Sequence, residues 1–178
     1  GCDSEVAGTL GCLARHRLRS GKISYSCRME ESTRPLILEA DLLVIGWGKA
    51  GKTLARALAS HGRHVVLVER DDAMIGGTCI NVACVPTKTL VNLAERRGDQ
   101  EPDDYLKHAI VSRDSLIDRL RAANKAMLSD LETVTLVHGE ARFTGPRRIR
   151  VQAGEETLDV TAGAVVINTG TSPLMPDI

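Results

Sequence analysis

The stretch DLLVIGWGKAG, residues 41–51, joins a short apolar run to a glycine-rich turn. The apolar part, DLLVI, has the length and composition of a strand that is buried on both faces. Residues 52–60 (KTLARALAS) have the apolar spacing of an amphipathic helix, and residues 64–68 (HVVLV) predict a second buried strand. This order of elements predicts two parallel strands that are joined by a right-handed helical crossover.

The turn has the pattern G-x-G-x-x-G, formed by Gly46, Gly48 and Gly51, and Glu69 ends the second strand. In such a motif the first glycine permits the tight turn, the second lets the backbone approach a pyrophosphate, and the third lets the helix pack close to the strand. The helix N-terminus attracts phosphate, and Glu69 can accept hydrogen bonds from ribose hydroxyls. The alternative is a tight turn that binds nothing, and the motif alone does not distinguish FAD from NAD.

Two cysteines, Cys79 and Cys84, lie in the segment GGTCINVACVPTK, residues 76–88. In a straight helix a five-residue step rises about 7.5 Å, beyond the ~7 Å limit between the Cα atoms of a disulfide, so the pair can close only on a bent backbone. Pro86 suits the first turn of a helix, which predicts Cys84 at a helix N-terminus, where a thiolate is favoured, and Cys79 on the bend before it. Lys88 lies one turn further along the same face. From these residues alone, a redox pair, a structural disulfide, a metal pair and two buried thiols remain open, although no further zinc ligands lie nearby.

The composition excludes several classes of partner. The 178 residues suffice for one domain, and 43% hydrophobic with 26% charged residues is typical of a folded chain. The chain has 23 lysine and arginine residues and 23 aspartate and glutamate residues. The formal net charge is therefore zero and gives no overall attraction to nucleic acid or anionic lipid. Aromatic residues are only 2%, and no apolar stretch approaches the roughly 18 residues of a membrane span. We therefore predict no nucleic-acid partner, no membrane partner and no metal site.

The first forty residues differ from the rest, and we predict a non-globular leader over residues 1–40 and an ordered domain over residues 41–178. Residues 15–28 are rich in arginine and serine, contain no acidic residue and show no apolar periodicity. A non-native leader, a native disordered arm and a transit peptide are all compatible with this composition. We expect residues 1–28 to be mobile.

The remainder predicts further helices and strands around the first unit. The expected elements are a helix after Pro86, a helical span from Glu101 to Leu131 broken near Val111–Ser112, and strands over residues 133–137, 148–152, 157–161 and 164–168. Residues 148–152 and 157–161 are expected to pair as a hairpin. The predicted fold class is α/β, a Rossmann-like, partial domain with a parallel sheet plus a small antiparallel β-meander.

The segment GGTCINVACVPTK resembles the redox-active signature of the pyridine nucleotide–disulfide oxidoreductases, the class I flavoprotein disulfide reductases. Together with VIGWGKAGKTLA it looks closest to the bacterial flavoproteins that reduce reactive chlorine species and hypothiocyanous acid. The resemblance implies that Cys84 is the charge-transfer thiol against the flavin, that Cys79 is the interchange thiol, and that Lys88 sits near the flavin ring. One departure is Ala83, where the family usually has glycine. The FAD-binding residues implied by the resemblance are Gly46, Gly48, Gly51, Glu69, Arg70, Gly77, Thr78, Lys88, Ala141, Thr169 and Gly170.

The resemblance also implies a function. Electrons would pass from NAD(P)H through FAD to the Cys79–Cys84 disulfide, and then to an oxidised thiol or a reactive oxidant, in a cytoplasmic homodimer that serves cell redox homeostasis. No second nucleotide motif and no catalytic His–Glu pair are visible, so we interpret the chain as the first segment of a longer enzyme, a natural truncation or a sequence fragment. We expect this chain alone to be inactive. The alternative function is a truncated, non-catalytic flavin-binding or redox-sensing remnant.

Overall fold

The structure, a computed structural model, describes residues 36–172 and 174–177. The prediction that residues 1–28 are mobile lies outside these residues. The elements in chain order are β1 (Leu36–Ile45), α1 (Lys49–Ala59), β2 (Val65–Glu69), a 3₁₀ turn (Asp72–Met74), α2 (Thr78–Asn81), α3 (Cys84–Glu95), α4 (Pro102–Ser129), β3 (Val134–His138), β4 (Glu140–Gly145), β5 (Arg148–Ala153) and β6 (Glu156–Ile167).

The strands form one six-stranded sheet in the order β3-β2-β1-β6-β5-β4. The neighbours β3-β2, β2-β1 and β1-β6 are parallel, while β6-β5 and β5-β4 are antiparallel. The predicted α/β fold class, with a Rossmann-like parallel sheet and an antiparallel meander, is therefore confirmed. No helix in the described part of the chain is long and apolar enough to cross a membrane.

The bounds of β1 and β6 differ from those predicted from the sequence. The two strands predicted over residues 157–161 and 164–168 are one strand, β6, which pairs with β1 from Leu36 through Ile45. Gly163 does not interrupt β6, because β6 pairs with β1 on both sides of this glycine. The two backbones lie so close there that a Cβ on Gly163 would be 2.9 Å from the Asp41 carbonyl oxygen. The same pairing extends β1 back to Leu36 instead of Asp41, so the first strand includes residues 36–40 of the predicted leader.

The predicted break in the long helix is wrong, since α4 continues through Val111 and Ser112. Neither residue is a strong helix breaker, because valine and serine cost only a few tenths of a kcal/mol relative to alanine. The start of α4 follows from Pro102 in the first turn, where its missing amide proton costs nothing. Ala109, Ile117 and Leu128 are the buried residues of this helix, and Leu128 packs into the core beneath the sheet.

The sheet has a core on each face, as the alternation of side chains along a strand requires. On the helical face, Leu42 and Val44 of β1 pack with Trp47. On the opposite face, Leu43 of β1 packs with residues of β2, β5 and β6, among them Val151. The glycine turn at the carboxyl end of β1 is therefore attached to the core by Trp47, which lies within the turn.

We predict that Trp47→Phe changes the free energy of unfolding by less than about 1 kcal/mol. The side chain of Trp47 is 4% exposed, and its indole Nε1 has no hydrogen-bond partner among the described residues. Removing an unpaired buried donor offsets the loss of apolar contact area. Urea denaturation followed by circular dichroism measures the change. A loss above about 2 kcal/mol would mean that the indole is paired after all.

We predict that Gly51→Ala destabilises the fold by about 2 kcal/mol through overpacking. A Cβ on this glycine would lie 2.5 Å from Val44 Cγ1 and 2.6 Å from Asn168 Nδ2. The matched control is Gly145→Ala, whose Cβ would meet its nearest neighbour, Arg148 Cδ, at an ordinary 3.8 Å. Denaturant unfolding compares the two variants.

The clash at Gly51 can be tested without relying on a single variant. Val44→Ala removes the Cγ1 atom against which the new methyl would press. The double variant should therefore lose less stability than the sum of the two single losses, because the residues are in contact. Strict additivity, or equal losses for Gly51→Ala and Gly145→Ala, would contradict close helix–strand packing as the role of Gly51.

Candidate functional site

The three glycines of the turn all pack against one residue, Asn168. Gly46 has a positive φ of 95°, and a Cβ there would lie 2.5 Å from the backbone oxygen of Asn168. Cβ atoms on Gly48 and Gly51 would each lie 2.6 Å from Asn168 Nδ2. Sequence reasoning missed Asn168; its position at the carboxyl end of a strand parallel to β1 was the available signal.

The first turn of α1 presents backbone amides without a side-chain cap. Gly48 is the N-cap residue, it makes no capping hydrogen bond, and the first turn contains no acidic residue. Lys49, at the first helical position, is exposed and adds positive charge. Free amides, the helix dipole and this charge together favour an anion such as a phosphate.

Glu69 stands at the end of β2 and is held by backbone amides. Its Oε2 atom accepts a hydrogen bond from the amide of Trp47 at 2.9 Å. Its Oε1 atom accepts from the amides of Arg70 at 2.9 Å and Asp71 at 3.2 Å. The carboxylate thus fixes the glycine turn to the end of β2, a role beyond the ribose contact expected from the sequence.

A cavity of about 390 Å³ lies beside Glu69 at the carboxyl edge of the parallel strands. Such edges are the usual ligand site of open α/β sheets. The cavity brings together residues that are far apart in the sequence, and six of the predicted cofactor-binding residues line it: Gly46, Glu69, Arg70, Ala141, Thr169 and Gly170. The arrangement fits the adenosine half of a dinucleotide.

The segment before the cysteines contacts this glycine turn directly. Gly77 has a positive φ of 85°, and a Cβ there would lie 2.9 Å from the Cα atom of Gly48. A Cβ on Gly170, which lines the cavity, would lie 3.2 Å from Thr78 Oγ1. Thr78, the residue before Cys79, therefore packs next to the cavity lining. Predicted residues of the two motifs therefore form one continuous site.

The backbone between the cysteines is bent, as the spacing required. Cys79 lies in the single-turn helix α2, and Cys84 is the first residue of α3. The chain turns at Val82 and Ala83, which lie between the two helices. Ala83 is exposed, and its φ of −114° is not in the left-handed region that favours glycine.

Both thiols are free and exposed, and Cys84 is near enough to Cys79 to change its pKa. Hydrogen bonding to Cys84, with smaller contributions from desolvation and from the charge of Cys84, raises the pKa of the Cys79 thiol. The positive charges of Lys49 and Lys88 oppose the rise in the Cys79 pKa. Lys88 is exposed, and its charge reaches the dithiol as its helical spacing suggested.

The residues present fit a flavin dinucleotide on structural grounds. The glycine cradle has no space for any Cβ, the first amides of α1 are uncapped, and Gly170 of the cavity lining lies against Thr78, which precedes Cys79. When bound, FAD would supply two-electron transfer between a nicotinamide donor and the dithiol. The same residues leave the thiols accessible from solvent, so a small substrate can approach them.

The chain belongs to the pyridine nucleotide–disulphide oxidoreductase family, whose family model matches residues 40–178. It is 40% identical to the probable pyridine nucleotide–disulfide oxidoreductase RclA of Escherichia coli K12, over 76% of this chain and 30% of that protein. A mercuric reductase of Streptomyces lividans is 36% identical over 78% of this chain and 31% of its own length.

The solved structures agree with the sequence relatives. The Cu(II) complex of the HOCl-induced flavoprotein disulfide reductase RclA from Escherichia coli superposes with a TM-score of 0.71 at 38% identity. The superposition covers 79% of this chain and 31% of the solved chain. This chain thus spans about a third of the length of the relatives it matches.

Proposed function

We propose that this chain is the flavin-binding and dithiol-bearing part of an FAD-dependent disulfide oxidoreductase that uses NAD(P)H. The observation that carries the proposal is the exposed Cys79–Cys84 pair on either side of a bend, in a segment that packs against a glycine-rich phosphate cradle. Members of the family generally depend on FAD and NAD(P)H. A cytoplasmic location and a homodimer of the whole protein are further proposals that rest on the family resemblance.

The dithiol would reduce its substrate by thiol–disulfide exchange. Cys79 attacks one sulfur of an oxidised substrate as a thiolate, forms a mixed disulfide and releases the first thiol. Cys84 then attacks the Cys79 sulfur, which releases the second thiol and leaves the Cys79–Cys84 disulfide. Two electrons have moved from the pair to the substrate, and two electrons from NAD(P)H through bound FAD restore the dithiol.

The roles that we assign to the two thiols follow from their positions. Cys84 starts α3, where the helix N-terminus stabilises negative charge, so we assign it the flavin-facing role. Cys79 lies on the short helix α2 before the bend and is exposed, so we assign it the exchange with substrate. Lys88 supplies positive charge beside the pair.

A reactive oxidant is a second class of substrate for the same dithiol. The RclA protein of the solved structures is described as HOCl-induced. A thiolate attacks the chlorine of hypochlorous acid, giving a sulfenyl chloride and hydroxide. The second thiol then displaces chloride and closes the disulfide, so this oxidant is consumed without a mixed disulfide to a thiol substrate.

The first experiment measures FAD binding and disulfide formation in the 178-residue chain with Cys2, Cys12 and Cys27 changed to serine. Trp47 is the single tryptophan of the chain and lies in the glycine turn, so bound FAD should quench its fluorescence. Oxidation should close the Cys79–Cys84 disulfide, as seen by peptide mass spectrometry. Absence of both quenching and the disulfide would overturn the proposal.

The second experiment distinguishes an enzyme from a non-catalytic remnant. A longer protein containing this segment should reduce its bound FAD and the disulfide when NADH or NADPH is added. Flavin binding and reversible oxidation without any reduction by either nucleotide would instead favour the flavin-binding or redox-sensing alternative, for which the exposure of both thiols is sufficient.

A further inference from the structure

Lys52 occupies an unusual position for a lysine, beneath the segment that bears the cysteines. It is 9% exposed and is the one charged side chain that is buried among the described residues. Its Nζ atom donates a hydrogen bond to the carbonyl oxygen of Gly76 at 3.0 Å. A second hydrogen bond runs from Nζ to Oδ1 of Asn124 on α4. Burial lowers the pKa of Lys52, with a smaller effect of the nearby Lys49 charge.

The acceptor on α4 is itself held in place. Asn124 Nδ2 donates to the carbonyl oxygen of Leu120 at 2.7 Å, which orients Oδ1 towards the ammonium group. A buried ammonium without acceptors would be very costly, so these two hydrogen bonds are needed for Lys52 to remain where it is. Lys52 therefore connects α1, the cysteine segment and α4 through a fixed set of partners.

Neighbouring carbonyls of the cysteine segment are held in the same way. Asn81 Nδ2 donates to the carbonyl oxygens of Ile75 at 2.9 Å and Gly77 at 3.0 Å. Arg121 Nε, from α4, donates to Asn81 Oδ1 at 3.2 Å. With the Lys52–Gly76 bond, side chains hold the carbonyls of three successive residues.

This arrangement constrains a backbone that would otherwise be free. Gly76 and Gly77 have positive φ angles of 93° and 85°, and glycine has the largest conformational entropy to lose on ordering. The turn leads directly into α2, where Cys79 is the second residue. A more flexible turn would therefore let Cys79 adopt a wider range of positions relative to Cys84.

We propose that Lys52, together with Asn124, is a positioning residue that fixes the Gly76–Gly77 turn and thereby holds Cys79 against Cys84. The proposal rests on the proposed function of this pair as a redox-active dithiol. It also links the two halves of the site, because α1 begins at the phosphate cradle and its buried lysine supports the turn that bears the exchange thiol.

The positioning role and a purely electrostatic role predict opposite changes in redox equilibrium. A positive charge stabilises the thiolate, so removing the charge alone would favour the disulfide. Loss of positioning lowers the effective concentration of one thiol at the other, which disfavours the disulfide. The sign of the change therefore identifies the role.

The experiment measures the equilibrium between the Cys79–Cys84 dithiol and a dithiothreitol redox buffer in the 178-residue chain, with Cys2, Cys12 and Cys27 changed to serine. We expect Lys52→Met to lower the stability of the disulfide about tenfold, which equals about 30 mV for two electrons. Asn124→Ala should shift the equilibrium in the same direction, which keeps the test valid if Lys52→Met does not fold.

The matched control is Lys125→Met, an exposed lysine next to Asn124 on α4. It should leave the equilibrium nearly unchanged. A shift in favour of the disulfide for both Lys52→Met and Asn124→Ala, or no change in either, would overturn the positioning role while leaving the redox pair intact. Failure of the unsubstituted chain to form the disulfide would overturn the proposed function and this inference together.

Discussion

Changing Cys79 to serine should abolish thiol–disulfide exchange with a small disulfide, whereas changing Cys84 to serine should allow one mixed disulfide to form and stop there. The difference follows from the proposed order of attack, in which Cys79 meets the substrate and Cys84 resolves the intermediate. In the Cys84 variant the released thiol should equal one equivalent per chain, against two for the unsubstituted pair. The measurement is thiol release from an aromatic disulfide, with the trapped mixed disulfide located by mass spectrometry.

Three further cysteines would obscure this result, so the comparison uses chains in which Cys2, Cys12 and Cys27 are serine. A variant with serine at all five positions gives the background. Equal trapping on either cysteine would contradict the assigned roles, and exchange that survives loss of both Cys79 and Cys84 would exclude this pair as the redox centre. In an FAD-loaded protein, the long-wavelength absorption of a thiolate against the flavin should survive Cys79→Ser and disappear in Cys84→Ser.

The pH dependence of the same pair has a defined sign. The pKa of Cys79 is raised above its ordinary value, chiefly by its hydrogen bond to Cys84. Alkylation of Cys79 in the reduced chain should therefore need a more alkaline pH than alkylation of an isolated cysteine. Cys84→Ala removes the hydrogen bond and the charge together, so the Cys79 alkylation profile should move to lower pH. An unmoved profile would show that Cys84 is not the cause of the raised pKa.

The parts of this site that could be predicted from the sequence are those with local steric causes. Gly46 needs a positive φ and Gly51 faces Val44 across a gap that no methyl group could enter, so the motif itself reveals the turn. Pro86 similarly indicates a helix start, which placed Cys84 correctly at the first residue of α3. In each case the restriction acts within a few residues of the motif.

The parts that could not be predicted depend on contacts between distant segments. β6 continues through Gly163 because β1 offers a continuous partner, and no pattern within residues 157–168 indicates that. From the sequence alone, Lys52 is expected to be an exposed helical lysine. It is buried because α4, more than sixty residues later, covers it and supplies Asn124 as a hydrogen-bond acceptor. The packing of Asn168 against the glycines likewise exists only once β6 lies beside β1.

Replacing Glu69 by alanine should weaken FAD binding about ten- to a hundredfold, which corresponds to about 1.5–3 kcal/mol for a charge-assisted hydrogen bond. The carboxylate lines the cavity and is already oriented by amides of the turn, at 2.9 Å from Trp47 N and Arg70 N. Its removal therefore takes away a ribose acceptor and also releases the turn that faces the phosphates. Calorimetric titration with FAD measures the change without relying on Trp47 fluorescence, which the substitution would itself alter.

Two comparisons separate the ribose contact from the support of the turn. Glu69→Gln keeps an oxygen that can accept from the Trp47 amide but loses the charge, so its affinity should fall between those of the unsubstituted chain and Glu69→Ala. Glu140 lines the same cavity but is exposed and ion-paired to Arg142 at 3.2 Å, so Glu140→Gln should change the affinity by less than about threefold. Unchanged FAD affinity in Glu69→Ala, or an equal loss in Glu140→Gln, would refute Glu69 as the ribose ligand. An equal loss in Glu69→Gln and Glu69→Ala would assign the effect to the charge, because only the glutamine variant retains the acceptor for the turn.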